Sequence, residues 1–186
     1  SDIAQSTPLN KIEAVHIDGV WEIRLEAGEA ISAIKFNLAT RLLVPTLEGA
    51  TQKYLNRTDS TEVEESMLQS IRSNLSRVGY PLAELELKKD RSKGRLTYVI
   101  DVNEQEPCFV ERIQIAFPLP KGAKLEIAPG AICDLNKISH AVDELEEQIR
   151  QLGFTQLKMS YQGLTYIRGK TRGILRIMGV LGNQIR

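Results

Sequence analysis

The chain has 186 residues, 42% hydrophobic and 26% charged, a balance that supports packed cores and excludes wholesale disorder. Lys plus Arg and Asp plus Glu number 24 each, so no net charge drives bulk binding to nucleic acid or to an acidic membrane surface. No run approaches the ~20 apolar residues of a membrane-spanning helix, no secretion leader is read at the start, and the chain reads as soluble.

The chain opens with a polar tail through Leu9. Ile12, Val15 and Ile17 then lead through Asp18-Gly19 into Trp21, Ile23 and Leu25, the pattern of a strand, an Asp-Gly turn and a strand. This hairpin, residues 1–27 with its tail, stands apart from the rest of the chain. From Gly28 the pattern predicts a strand over 30–37, a helix within 39–56 with Pro45 near its start, and a helix over 62–78 entered by a capping box, Thr61 with Glu64. A strand over 83–88, a turn within 90–94 and a strand over 95–102 complete a first domain, 28–106. The second domain, 107–186, reads as a strand over 109–117, a looser Pro- and Gly-rich stretch over 118–131 with room for one short helix, a helix over 135–152 capped by Asp134, and strands over 156–162 and 174–181.

The two domains carry the same core element. Leu68, Ile71, Leu75 and Val78 lead into Gly79-Tyr80, and 74 residues later Val142, Leu145, Ile149 and Leu152 lead into Gly153-Phe154 without a gap. The 3,4,3 spacing marks one helix face, and the glycine behind it marks a left-handed helix end. Alternating strands come next: Ala83, Leu85 and Leu87 between Glu84, Glu86 and Lys88, then Leu157, Met159 and Tyr161 between Lys158 and Ser160. A strand–bend–strand junction opens each domain, and a third, Ile177, Gly182 and Ile185, begins as the sequence ends, so the second domain stops at the threshold of a further unit. A repeat of this length implies tandem modules.

The motifs that imitate chemistry have plainer explanations. Gly163 through Gly169-Lys170-Thr171 has the wrong spacing for a phosphate loop and is flanked by strands. Gly169 to Gly173 is similarly a turn rather than the loop of an RNA-binding KH domain, which is kept as the alternative from another functional class. Arg168, Lys170, Arg172 and Arg176 read as a solvated hairpin tip. Glu62, Glu64, Glu65, Asp143, Glu144, Glu146 and Glu147 read as solvated helix faces. Two histidines and no nucleophile–base set leave little for catalysis, so no enzyme, no cofactor and no metal is expected. Cys108 and Cys133 are read as buried free thiols in preference to a disulfide, which an oxidising compartment would permit.

Paired β-α-α-β-β units, a signature helix closing with Gly79-Tyr80 or Gly153-Phe154, and direct strand-to-strand junctions resemble POTRA (polypeptide-transport-associated) domains over residues 28–186. The resemblance implies an α+β fold, each module a three-stranded mixed sheet with two helices on one face. It also implies a periplasmic region at the outer membrane, preceding a C-terminal β-barrel of the same chain, as in BamA-like and TamA-like assembly proteins and two-partner secretion transporters. Such modules receive unfolded or partly folded outer-membrane or secreted polypeptides and dock accessory periplasmic proteins or lipoproteins; nucleic acid is not among the partners. The family alternative is the lone POTRA domain of a single-pass cell-division protein. In the family the second strand lies at a sheet edge, where a passing chain can add a strand. Those edges here are Ala83, Glu84, Leu85, Glu86, Leu87 and Lys88, and Leu157, Lys158, Met159, Ser160, Tyr161 and Gln162. Glu86 and Lys158 are expected to face solvent, and Lys88, Lys89 and Lys158 to guard the edges.

Overall fold

The computed structural model describes residues 9–17 and 20–183. The chain divides into two compact units, Ser1–Asn74 with Glu84–Asn103, and Leu75–Ala83 with Glu104–Arg186. The opening strands, β1 (Leu9–Ile17) and β2 (Val20–Ala27), pair antiparallel as a separate two-stranded sheet. The Asp18-Gly19 turn expected between them lies outside the described residues, as does Ile185 of the third junction.

The first unit continues with β3 (Ile31–Asn37), a 3-10 turn at Arg41–Leu43 running into α1 (Val44–Thr51), α2 (Thr61–Arg77) as far as Asn74, β4 (Glu84–Ser92) and β5 (Arg95–Asn103). Its sheet has the order β3-β5-β4, with β3 parallel and β4 antiparallel to the central β5. Along β5 the pleat alternates: Leu96, Tyr98, Ile100 and Val102 are buried, while Thr97, Val99 and Asp101 on the opposite face are half-buried. Ile31, Leu47, Met67 and Ile71 fill the same core, so one sheet face is packed and the other is open. Pro45 sits in the first turn of α1, where a missing N–H leaves no bond unmade.

The second unit contains β6 (Phe109–Ile115), α3 (Leu135–Gln151), β7 (Lys158–Ile167) and β8 (Arg172–Val180), with the sheet order β6-β8-β7 and the same parallel and antiparallel pairings. The mixed three-stranded sheet expected of each module is present in both units. The second helix is not: residues 116–134 form no helix. Pro118, Pro120 and Pro129 lack amide donors, and Gly122 and Gly130 hold φ of 101° and 90°, both of which break a helical ladder. The segment instead packs Phe117, Leu125 and Ile127 onto the core formed by Val110, Ile138, Val142, Leu175 and Ile177, covering apolar surface that a helix would otherwise cover.

Both signature helices end alike. Tyr80 N–H donates to Leu75 O (2.8 Å) and Gly79 N–H to Ser76 O (3.2 Å); Phe154 N–H donates to Ile149 O (3.3 Å) and Gly153 N–H to Arg150 O (2.9 Å). With φ of 102° and 95° at the glycines, each is a Schellman motif, in which the glycine takes the left-handed turn at little steric cost. At the other end Asp134 accepts from Asn136 and Lys137 N–H at 3.0 and 3.2 Å. The cap of α2 differs from expectation by one residue. Ser60, not Thr61, accepts from Val63 N–H with its side chain (3.3 Å) and from Glu64 N–H with its carbonyl (3.0 Å), while the Glu64 carboxylate accepts from Lys89.

Candidate functional site: the free edge strands

Among the described pairings β4 bonds only to β5, and β7 only to β8, so both expected strands lie at sheet edges. β4 is longer than the alternation of leucines suggested. It runs nine residues to Ser92, because Lys89 and Arg91 take the helix-side places that Leu85 and Leu87 hold further up. Ala83 stands just before it, half-buried. Glu84, Glu86 and Lys88 are exposed, while Leu85 and Leu87 are half-buried.

The register decides which backbone groups the edge offers. Lys93 and Gly94 connect Ser92 to Arg95 with φ of 53° and 68°, a type I′ turn closing on a hydrogen-bonded Ser92–Arg95 pair. Bonded pairs alternate from there. The N–H groups of Glu84, Glu86, Lys88 and Asp90 therefore point into the sheet, and those of Leu85, Leu87, Lys89 and Arg91 point out along the free edge. Glu86 does face solvent with its side chain, but its N–H belongs to the ladder with Asp101. Beside the start of β4 lies a depression of about 520 Å³ lined by Asn37, Leu85, Glu86, Asp101 and Asn103.

β7 is a different edge. Leu157, just before it, is buried; Lys158 and Ser160 are exposed; Met159 and Tyr161 pack against the core. The register against β8 then slips between Tyr161 and Leu164, where Gln162 and Gly163 (φ 83°) form a bulge. A bulge twists an edge and interrupts the row of free groups.

The guard lysines divide by face. Lys88 is exposed and pairs with Asp101 at 2.5 Å and Glu86 at 3.6 Å. Lys89 turns inward, to Asp59 (2.9 Å) and Glu64 (2.7 Å). Around Asp59, whose side chain is only 11% exposed, gather Lys89, Arg91 (3.3 Å) and the Tyr98 hydroxyl; Arg91 also reaches Glu29 at 2.7 Å. Burial opposes ionisation of Asp59, but the hydrogen bonds from Tyr98 and Lys89 outweigh it and hold the carboxyl below its ordinary value. Burial also opposes the charge on Lys89, and its bonds to Glu64 and Asp59 raise it nonetheless. Burial, followed by the bond to Asp59, pushes the Tyr98 hydroxyl up. Sequence reasoning missed this cluster. Its only trace was a pair of charges, Lys89 and Arg91, at strand positions where Leu85 and Leu87 predict apolar residues. Its effect is to tie the far half of β4 to α2 and to the loop before it.

The other surfaces are simpler. Gly163 and Gly169 to Thr171 fall on the bulge of β7 and on the turn after it, with no helix N-terminus behind them. Arg168 pairs with Glu111 and Arg172 with Glu106, each at 3.6 Å, and Arg172 stacks over Phe109. Glu64 leaves the solvated set for the Asp59 cluster, whereas Glu62, Glu65, Asp143, Glu144 and Glu147 are exposed. In the first unit β3, which pairs with β5 and at Ile31 also with Asn56 and Arg57, borders a groove of about 580 Å³ lined by Ile34, Phe36, Pro45, Gly49, Thr51 and Leu55.

No family model and no curated protein matches the chain. Among solved structures it is similar to POTRA domains 3–5 of BamA from Haemophilus influenzae, at 15% identity and TM-score 0.44, covering 84% of this chain and 67% of that one. It is similar to the N-terminal domain of Omp85 from Thermosynechococcus elongatus, at 14% identity and TM-score 0.40, covering 95% and 79%. It is also similar to CdiB from Acinetobacter baumannii, at 12% identity and TM-score 0.42, covering 84% of this chain and 30% of that one. The POTRA-like description rests on the element order and pairing within each unit: first and third strands parallel, the second at an edge, and the signature helix packed beneath.

Proposed function

We propose that the chain is a polypeptide-binding module, not an enzyme, of a periplasmic protein that assembles or translocates chains at the outer membrane. It is built of POTRA-like domains over 28–106 and 107–186 and takes its clients by β-augmentation. The observation that carries this reading is β4: nine unbroken residues paired on one side, with the outward N–H groups of Leu85, Leu87, Lys89 and Arg91 in a row. Main-chain pairing tolerates many sequences, which suits a factor with many clients. A strand laid beside β4 would set alternate side chains next to Leu85 and Leu87 on one face and next to Glu84, Glu86 and Lys88 on the other. The client chemistry it favours is thus an amphipathic strand, apolar on one side and polar on the other, the pattern of an outer-membrane barrel strand. The stretch Leu157–Gln162 is the secondary site, shortened by the bulge. Accessory periplasmic proteins or lipoproteins, and a β-barrel in the same chain, complete the proposed partners.

The test is fluorescence anisotropy with a labelled amphipathic strand peptide. Leu87→Pro removes an outward donor while sparing the ladder, so the variant should stay folded by circular dichroism and lose binding, while Leu87→Ala keeps most of it. Glu86→Pro should unfold the first unit because its N–H points inward. If folded Leu87→Pro and Lys89→Pro both bind as the parent does, strand addition at β4 is wrong. The groove beside β3 then becomes the reading to test, with Ile34→Glu as its probe.

A further inference from the structure

We infer that Cys108 and Cys133 are a disulfide-forming pair that fastens the start of β6 to the start of α3. Both are fully buried, and their sulfurs lie 3.0 Å apart although the residues are 25 positions apart in sequence. The backbone between them is already zipped. Phe109 and Ile132 form an antiparallel bridge, Val110 N–H donates to Ala131 O, and Cys133 N–H donates to Cys108 O, both at 2.8 Å. Cys108 thus stands directly opposite Cys133. Directly opposed antiparallel residues have Cα atoms roughly 4.5 to 5.5 Å apart, inside the ~4.4 to 6.8 Å span that a disulfide requires.

Space for the pair is made by a glycine on the neighbouring strand. A side chain at Gly173 of β8 would meet Cys133 Sγ at 2.8 Å and Cys108 Sγ at 3.5 Å, so any larger residue would drive into the sulfurs. The segment that the bond would close, 109–132, holds the Pro- and Gly-rich stretch without a helix. A crosslink across a long, irregular loop restricts the unfolded chain strongly.

The chemistry needs a disulfide donor, either glutathione disulfide or the disulfide of a thiol oxidoreductase. The thiolate of one cysteine attacks a donor sulfur and expels one donor thiolate, giving a mixed disulfide. The second cysteine's thiolate attacks the protein sulfur of that bond, forms Cys108–Cys133 and expels the other. Two electrons pass to the donor, and the two thiol protons end on the two donor thiols released. Burial pushes both cysteine thiols up, so exchange runs while the segment is open, during folding, and the closed unit then shields the bond from reductants. The capacity to close is a property of the chain, whereas closure in the cell rests on the proposed periplasmic location.

The experiment refolds the reduced chain in a glutathione–glutathione disulfide buffer and follows it by intact mass and by maleimide labelling under denaturing conditions. The expected product is a monomer lighter by two hydrogens with no labelled thiol, resistant to reductant until denatured. Its melting transition should lie on the order of 10 °C above that of the reduced chain. Two labelled thiols throughout, a bond between chains as the main product, or closure with no rise in melting temperature each overturn the inference. The reduced parent serves as the reference state, and Cys108→Ala with Cys133→Ala should melt with it. Closure in the test tube but free thiols in chain recovered from a periplasm would leave the pairing intact and count against the compartment.

Discussion

Replacing Asp59 with alanine should destabilise the first unit far more than its place in a loop suggests. The carboxylate accepts from the Tyr98 hydroxyl, from Lys89 at 2.9 and 3.0 Å and from Arg91 at 3.3 Å. Its loss strands a hydroxyl on a fully buried tyrosine, which costs about 1–3 kcal/mol. It also removes charge-assisted bonds worth about 1.5–3 kcal/mol. Lys89 keeps Glu64 and is partly wet, at 28% exposure, which offsets some of that loss, so the expected total is about 2–4 kcal/mol. Tyr98→Phe should cost only about 1 kcal/mol, because Asp59 retains both cations. The sign of the acid dependence comes from the same site. The folded-state value of Asp59 is depressed, so its contribution is fully present above the unfolded value, ~3.9, and is lost as the pH falls through the folded one. Urea unfolding followed by circular dichroism, at neutral pH and near pH ~3, measures both effects, and Asp59→Asn should flatten the acid slope. Equal costs for Asp59→Ala and Tyr98→Phe, or an undiminished acid slope in Asp59→Asn, would refute the cluster as the anchor of β4.

At the alkaline end Tyr98 should be the last tyrosine of the first unit to ionise by ultraviolet absorbance. Its raised value gives a contribution present below ~10 and lost as the pH rises through the folded value, and an early, complete tyrosinate titration would contradict this. Leu75→Ala and Ile149→Ala should each cost ~2–5 kcal/mol, since both side chains are wholly buried. Glu65→Ala, on the exposed side of α2, should cost almost nothing; similar shifts in melting temperature for the three would show that the helix faces are misassigned. Gly79→Ala should cost ~1–3 kcal/mol, because it forces a side chain to positive φ and drives the new methyl group into Ile132 Cγ2; an unchanged urea midpoint would contradict the strained cap.

Much of the fold was legible because its signals are local. The 3,4,3 spacing of α2 and α3, their terminal glycines and the alternation of β4 depend on neighbours within a turn or two of chain, where side-chain periodicity and backbone freedom act directly. The absent second helix was half-visible in Pro118, Pro120 and Pro129. The cap of α2 lies one residue before the expected Thr61 because Ser60 and Thr61 are both capable caps, and the first helical N–H groups reach Ser60.

The proposed binding edge was legible as a strand but not as a set of outward donors. Sequence alternation told which side chains of β4 face solvent, whereas the I′ turn at Lys93-Gly94 decided which N–H groups do, and the two patterns run opposite to one another at Glu86. Likewise nothing local marked Glu29, Asp59, Glu64, Lys89, Arg91 and Tyr98 as one cluster, or Cys108, Cys133 and Gly173 as one site. By itself the sequence determined the repeat, the helix faces, the glycine helix ends and the strands that would lie second in each module. Only the tertiary structure decided which charges meet, which cysteines oppose and which edge stays unbroken. Those outcomes depend on pairing register between segments tens of residues apart, where a one-residue slip exchanges every inward group for an outward one.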